Sequence, residues 1–247
     1  MSFLNQNALS FSNASLNRGA GVNTYSVTFD GDIGEQYASG TNTQSITSTA
    51  FTVEFWVRPF SFSANTANPR FIDISDATNS FQITRSTGSA RIHTKHTQTD
   101  SGTNSKKWGS ADLTLDTWYH IAAVVNSSGA VDNVYLAASG DSSHTDLSSA
   151  AGDAVGAGTA ASDTFIGVRR DLVARSGILQ DEVRVWNGSR SLVQIDANWK
   201  TQLFGNESGL VAYYRLNNDY TDSQTNASAN NLTASGSSPV FTTVIPF

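Results

Sequence analysis

The sequence predicts an all-β fold: two antiparallel sheets packed as a sandwich, with one short helix near the C-terminal third. Three observations predict it. Phe51, Val53, Phe55 and Val57 alternate with Thr52, Glu54, Trp56 and Arg58, and period two marks a strand with one face on a core. Short β-branched and aromatic runs recur between turn signals at the ~8–12-residue spacing of sandwiches. Only 15% of residues are charged, so the polar surface is mostly Ser, Thr and Asn, which favours strands and turns over helices.

Residues 1–23 are polar, with Phe3, Leu4, Leu9, Phe11 and Leu16 in no sustained period. They read as an arm that lies on the domain, docks on a partner or frays. The folded domain is expected over 24–247. Tyr25, Val27 and Phe29 alternate in a first strand, turned by Asp30-Gly31-Asp32. The four apolar side chains of Phe51–Pro59 stabilise by roughly 1.5–3 kcal/mol each when buried. Pro59 lacks a ladder donor and is expected to end that strand. Trp56 lies on its other, mixed face, where solvent, a loop or a ligand is to be sought. Phe71–Ile74, Phe81–Thr84 and Ala90–Thr94 are short strands between Asp, Asn, Ser and Gly turns.

Thr97–Asp112, carrying Lys106-Lys107-Trp108, reads as a polar loop. Trp118–Val125 is a strongly apolar strand, and Val131–Leu136 is its hairpin partner across Asn126-Ser-Ser-Gly129. Residues 139–163 are rich in Ser, Ala, Gly and Asp and form a long loop, a class usually functional or disordered. Phe165–Arg169 and Asp181–Trp186 are strands. Ser191 with Gln194 forms a capping box that opens the helix, with Leu192, Ile195 and Trp199 on one face. Leu210–Leu216 is another strand, and Val240–Phe247 a final apolar run.

Composition excludes several function classes. The formal charge is -6 and no basic run exists, so the clustered cations of a phosphate-tracking surface are missing and no nucleic-acid partner is expected. Without cysteine there are no disulfides, thiolate metal sites or catalytic thiols. The first residues have neither a positive n-region nor an apolar run, and no stretch approaches the ~20 apolar residues of a membrane span.

Taken in order, these segments resemble the concanavalin A-like lectin/glucanase superfamily, specifically its laminin G-like, pentraxin-related modules. The resemblance runs through Phe29-Asp30-Gly31 with Tyr37, Phe51–Pro59, Trp118–Val125, Val134-Tyr135-Leu136 and Phe165-Ile166-Gly167. It ends with Gly177–Asn187 and the helix after Ser191. It implies a jelly-roll sandwich. One segment departs from the usual layout: Gly209–Leu216, with Asp222 and Asn230–Thr233, resembles the part that opens such modules yet follows the last motif. Residues 209–247 are therefore expected to complete the same sandwich.

Glycoside hydrolysis, which this resemblance suggests, needs two carboxyl groups about 5–5.5 Å or about 6.5–9.5 Å apart. On a strand, i and i+2 share a face. Asp73 and Asp76 are three apart, Asp181 and Glu182 adjacent, and Asp30 and Asp32 flank a turn glycine. No catalytic residue is expected. His93 and His96, three apart on a strand, face opposite ways and do not make a zinc pair. Gly156–Ala161 resembles a dinucleotide fingerprint but leads into a strand, not a helix.

Calcium takes six to eight oxygens, typically on loops. Asp30, Asp32 and Glu35 share one Gly-rich turn, and the resemblance implies that Asp181 adjoins it; the alternative is that the two aspartates make Asx turns. For sugar binding, an exposed aromatic beside polar groups is wanted, and Trp108 with Lys107 comes first, Trp56 second. Trp118, Trp186 and Trp199 lie in apolar phase and are assigned to the core.

Two non-catalytic functions are expected. One is a structural or adhesive protein displayed on an assembled particle: a phage or virus virion surface protein, capsid-decorating or tail-associated. It would be held, as an oligomer, to other virion proteins through the arm or a sheet face. The other, favoured by the resemblance, is a carbohydrate-binding lectin-like module with glycans as partners. Either places the protein at a virion surface or outside cells, without membrane insertion.

Overall fold

The β-branched and aromatic runs become strands. The computed structural model describes residues 22–31, 36–44, 50–62, 68–76, 79–86, 90–98, 103–147, 162–173 and 175–247. In chain order its elements are β1 (Ser26–Phe29), β2 (Tyr37–Gln44), β3 (Phe51–Ser61), β4 (Arg70–Ser75), β5 (Asn79–Arg85), β6 (Arg91–Gln98), β7 (Thr103–Asp112) and β8 (Tyr119–Val125). Then follow β9 (Val131–Ala138), β10 (Thr145–Asp146), β11 (Ser162–Ile166), β12 (Gly177–Trp186), α1 (Leu192–Asp196), β13 (Leu210–Tyr214), β14 (Thr233–Ser235) and β15 (Val240–Thr242).

They form two antiparallel sheets, as expected of a jelly-roll sandwich. Sheet I runs β10-β9-β8-β3-β12-β1-β15, with β13 also paired to β12. Sheet II runs β14-β2-β11-β4-β5-β6-β7. Phe51, Val53, Phe55 and Val57 are buried in the layer between the sheets, packed with Ile72, Ile74, Phe81 and Ile83. Residues 210–242 add strands to both sheets.

Pro59 does not end β3, which continues to Ser61. The ladder to β8 stops at Val57↔Tyr119, while Pro59 pairs with Ile178 of β12. Beyond Val57 one side of β3 is therefore an edge, where proline is tolerated. The expected loop at Thr97–Asp112 is instead the end of β6 and the whole of β7, an edge strand of sheet II. Lysine is common on such edges because it deters further pairing, and the polar sequence there shows no alternation to announce a strand.

β1 and β13 share one side of β12: β1 pairs with Ile178–Gln180 and β13 with Val183–Trp186. A bulge separates them. Glu182 there has φ 52°, and the extra residue puts Asp181 and Glu182 on the same, outer side. The helix begins as read, with Ser191 Oγ accepting from Gln194 N–H at 3.3 Å and Gln194 Oε1 accepting from Ser191 N–H at 2.8 Å.

Candidate functional site

Alternation that buries one face of β3 turns Thr52, Glu54, Trp56 and Arg58 to the outside of sheet I. That outside is covered by the segment after β12, and Trp56 is fully buried. Its ring stacks on Trp199 at 5.2 Å, and its indole N–H donates to the Trp199 carbonyl at 2.8 Å. Trp56 is therefore not an exposed sugar platform. The reason is non-local: Trp199 lies 143 residues away in sequence.

Beside it runs a buried charged row. Arg184 stands opposite Glu54 on one side and Tyr213 on the other. Its guanidinium donates to Glu182 at 2.8 Å and to the carbonyls of Asn198 and Thr201, pinning the covering segment. Burial opposes the Arg184 cation, but Glu182, Tyr213 and Glu54 outweigh it and hold the pKa above its ordinary value. The Tyr213 hydroxyl donates to Glu182 at 2.6 Å, and Trp186 Nε1 to Glu54 at 3.0 Å. His120 and His144 face each other at 2.7 Å, and His144 Nδ1 meets Asp196 at the end of α1 at 2.5 Å. Burial lowers both imidazoles; for His120, His144 and two arginines add to the effect, whereas Asp196 partly offsets it for His144.

Of the oxygen set expected for calcium, the two described members, Asp30 and Asp181, are not brought together. β1 and β12 run antiparallel with Phe29 opposite Ile178, so Asp30 stands near Gly177. Asp181 is four residues further on, ~13 Å at strand rise. It is fully buried and accepts from Asn23 Nδ2 at 2.6 Å and from the Glu182 N–H at 2.9 Å. Burial, then the charge of Glu182, pushes its pKa well up. The Asp30 N–H donates to Gln36 Oε1 at 2.9 Å; Asp32 and Glu35 lie outside the described residues.

Sheet II differs. Ile72, Ile83 and Ile166 point into the core, so Asp73, Gln82 and Phe165 beside them point outward. Register links one outward row across six strands: Thr233, Ser39, Phe165, Asp73, Gln82 and Lys95. Thr233 is exposed, and Ser39, Phe165, Gln82 and Lys95 are half-buried. Asp73 is closed from solvent and accepts from Gln82 Nε2 at 3.2 Å and from the Arg170 N–H at 3.1 Å. Burial raises its pKa. A neighbouring row joins Arg70, Thr84 and His93 and reaches Trp108, while Lys107 stands opposite Thr94. The side chains of Lys107 and Trp108 lie outside the described residues.

The row offers hydroxyls, an amide, an ammonium and a flat ring, which are the groups that hold a sugar. Sequence reading missed Phe165 and Gln82. Phe165 was assigned to a strand, but its facing depends on the ladder to Asp73. Asp163 and Asp73 occupy diagonal positions of β11 and β4, ~7–8 Å between Cα atoms. Asp163 is ion-paired with Arg170 at 3.6 Å, and the carboxyl of Asp73 is sealed, so neither is presented as a free acid or nucleophile.

The family model of the concanavalin A-like lectin/glucanases superfamily, laminin G type, matches residues 15–196. The chain belongs to this superfamily. Among solved structures, a candidate carbohydrate-binding protein from Bacteroides ovatus is similar at TM-score 0.57 and 15% identity. That match covers 89% of this chain and 59% of the other, so the superfamily member described here spans well under two thirds of the Bacteroides protein. A heptameric SAP-like pentraxin from Limulus polyphemus is similar at TM-score 0.55 and 13% identity, over 87% of this chain and 96% of the pentraxin. At such identities the likeness is one of fold. Among curated proteins none matches in sequence. No helix among the described residues is long and apolar enough to cross a membrane.

Proposed function

We propose that this chain is a non-catalytic carbohydrate-binding module that engages glycans on the outer face of sheet II. The observation that carries this is the six-strand row, with the half-buried ring of Phe165 between Ser39 and Asp73 and with Gln82 and Lys95 beyond. A sugar's C–H face packs on such a ring while its hydroxyls exchange hydrogen bonds with the polar neighbours. The name of the Bacteroides structure agrees with this reading. Display on a virion draws no support from the fold or from the similar proteins.

Calorimetric titration of a panel of neutral oligosaccharides tests it. Phe165→Ala and Gln82→Ala are expected to weaken the best ligand about tenfold each, ~1.4 kcal/mol, with the fold retained. Absence of binding across the panel, or binding that ignores both substitutions, would overturn the proposal.

A further inference from the structure

Asp196, His144 and His120 form one hydrogen-bonded chain from the end of α1 to sheet I. His144 lies in the turn before β10, and His120 stands on the outer face of β8, opposite Trp56 of β3. Both rings are closed from solvent. Asp196 Oδ1 accepts from the His144 backbone N–H at 3.1 Å as well as from its Nδ1. A carboxylate only accepts, so His144 Nδ1 carries a proton, and Nε2 of the neutral ring is an acceptor. His120 Nδ1 is then the donor across the 2.7 Å contact. Its Nε2 keeps a lone pair, buried and with no hydrogen-bond partner among the described residues.

This chain can take up one proton and stay joined. A proton arriving at His120 Nε2 lets the Nδ1 proton pass to His144 Nε2, and the cation then lies against the Asp196 carboxylate. A second proton breaks the contact. Both facing nitrogens become donors, and two cations stand with ring centres 4.9 Å apart. Glu54 on β3 and Asp141 in the turn favour the His144 cation, while Arg184 on β12 and Arg190 after it oppose the His120 cation. Lys200 lies over Trp199, whose ring is 4.7 Å from His144, and adds positive charge. Tyr135 of β9 packs under α1 with Ile195 and is uncharged.

We propose that this chain is an acid-operated latch: it fastens α1 to β8 while at least one imidazole is neutral, and frees α1, with the turn of His144, when both are protonated. Burial holds both imidazoles below their ordinary value, so the closed form binds protons less readily than the open one. The latch is therefore complete above the open-state value near ~6.5 and is lost as pH falls below it. Release uncovers Ala122, Val124 and Tyr135, the apolar patch on which Ile195 sits. The protein then presents in acid an apolar surface that is closed at neutral pH.

Because the chain has no cysteine, one introduced thiol reports local opening. Ile195 is buried under α1 and Ala123 in the core between the sheets. In Ile195→Cys, labelling by 4,4′-dithiodipyridine, relative to a free cysteine peptide at the same pH, is expected to be at least about tenfold faster at pH 5.0 than at pH 7.5. In Ala123→Cys the same ratio should stay within about twofold. Adding His120→Asn, whose amide keeps a donor in place of Nδ1, or His144→Gln to Ile195→Cys should abolish the acceleration. Ser191→Ala, which uncaps α1 without titrating, should speed labelling by the same factor at both pH values. Equal acceleration at Ala123→Cys, acceleration that persists in both histidine variants, or a Ser191→Ala effect confined to acid would overturn the latch. Nitrogen-15 spectra of the unsubstituted chain at pH 7.5 give a test that needs no variant to fold. His120 and His144 should both be Nδ1–H tautomers, and an Nε2–H tautomer at His120 would overturn the proposal.

Discussion

Glu54, Arg184 and Tyr213 cross the outer face of sheet I much as Gln82, Asp73 and Phe165 cross that of sheet II. Both rows are polar and aromatic, and both lie on the non-core side of their sheets. On sheet I the covering segment closes over the row, and each charge is answered by a neighbour or a carbonyl of that segment. On sheet II most of the row keeps solvent surface. The same kinds of residue therefore fasten a second layer on one face and leave a surface for ligands on the other. Residue type alone does not separate the two uses; burial does.

The comparison breaks most readily at Arg184. Arg184→Ala leaves Glu54 and Glu182 buried without their cation and is expected to cost about 3–5 kcal/mol, read from denaturant midpoints. A loss below ~1 kcal/mol would mean that this row does not hold the cover. A smaller effect comes with pH. His120 and His144 have depressed pKa values in the folded protein. Their contribution is therefore complete above the unfolded value near ~6.5 and is lost as pH falls below it. Denaturation at pH 7.5 and pH 5.5 should differ by about 1–2 kcal/mol from this pair. Asp73, Asp181 and Asp222 have raised pKa values and act in the opposite sense, favouring the fold as pH falls. The decisive quantity is thus the difference in pH slope between the native chain and His144→Gln, which should be shallower; equal slopes would remove the imidazole pair as the cause.

Ser191→Ala removes the cap of α1 and should cost about 1 kcal/mol, again felt only through the cover. Gln82→Ala on sheet II removes one donor to the buried carboxyl of Asp73 and should cost about 1 kcal/mol, well short of Arg184→Ala, while weakening glycan binding. If it destabilised the fold as Arg184→Ala does, the two faces would not differ as described.

Much of the framework was legible because it is local. The Phe51/Val53/Phe55/Val57 face announces itself by alternation, and Ser191 with Gln194 announces the helix by capping. Trp56 shows where local reading stops. Its side was assigned correctly to the non-core face, but the lid over it comes from Trp199, whose approach no nearby residue encodes. Asp181 failed likewise, since antiparallel pairing of β1 with β12 carries it away from Asp30 and toward Asn23. β7 shows no alternation in its sequence, so only its ladder to β6 identifies it as a strand. Phe165 carries no local mark of its place, which is set by the ladders that put Asp73 on one side of it and Ser39 on the other.

The sharing of β12 by β1, β3 and β13 also dictates an order of events during synthesis. β1 pairs only with β12 and β15 among the described strands, and Phe29 must wait for Ile178, about 150 residues later in the chain. At ribosomal speeds of ~5–20 residues per second, that is roughly 8–30 s with a hydrophobic strand unpaired. β3 can already join β8, but its other edge stays open over the same interval. The nascent chain is thus most exposed to aggregation just before residues 177–186 emerge, and a chaperone that binds extended apolar segments would find its substrate in β1 and β3.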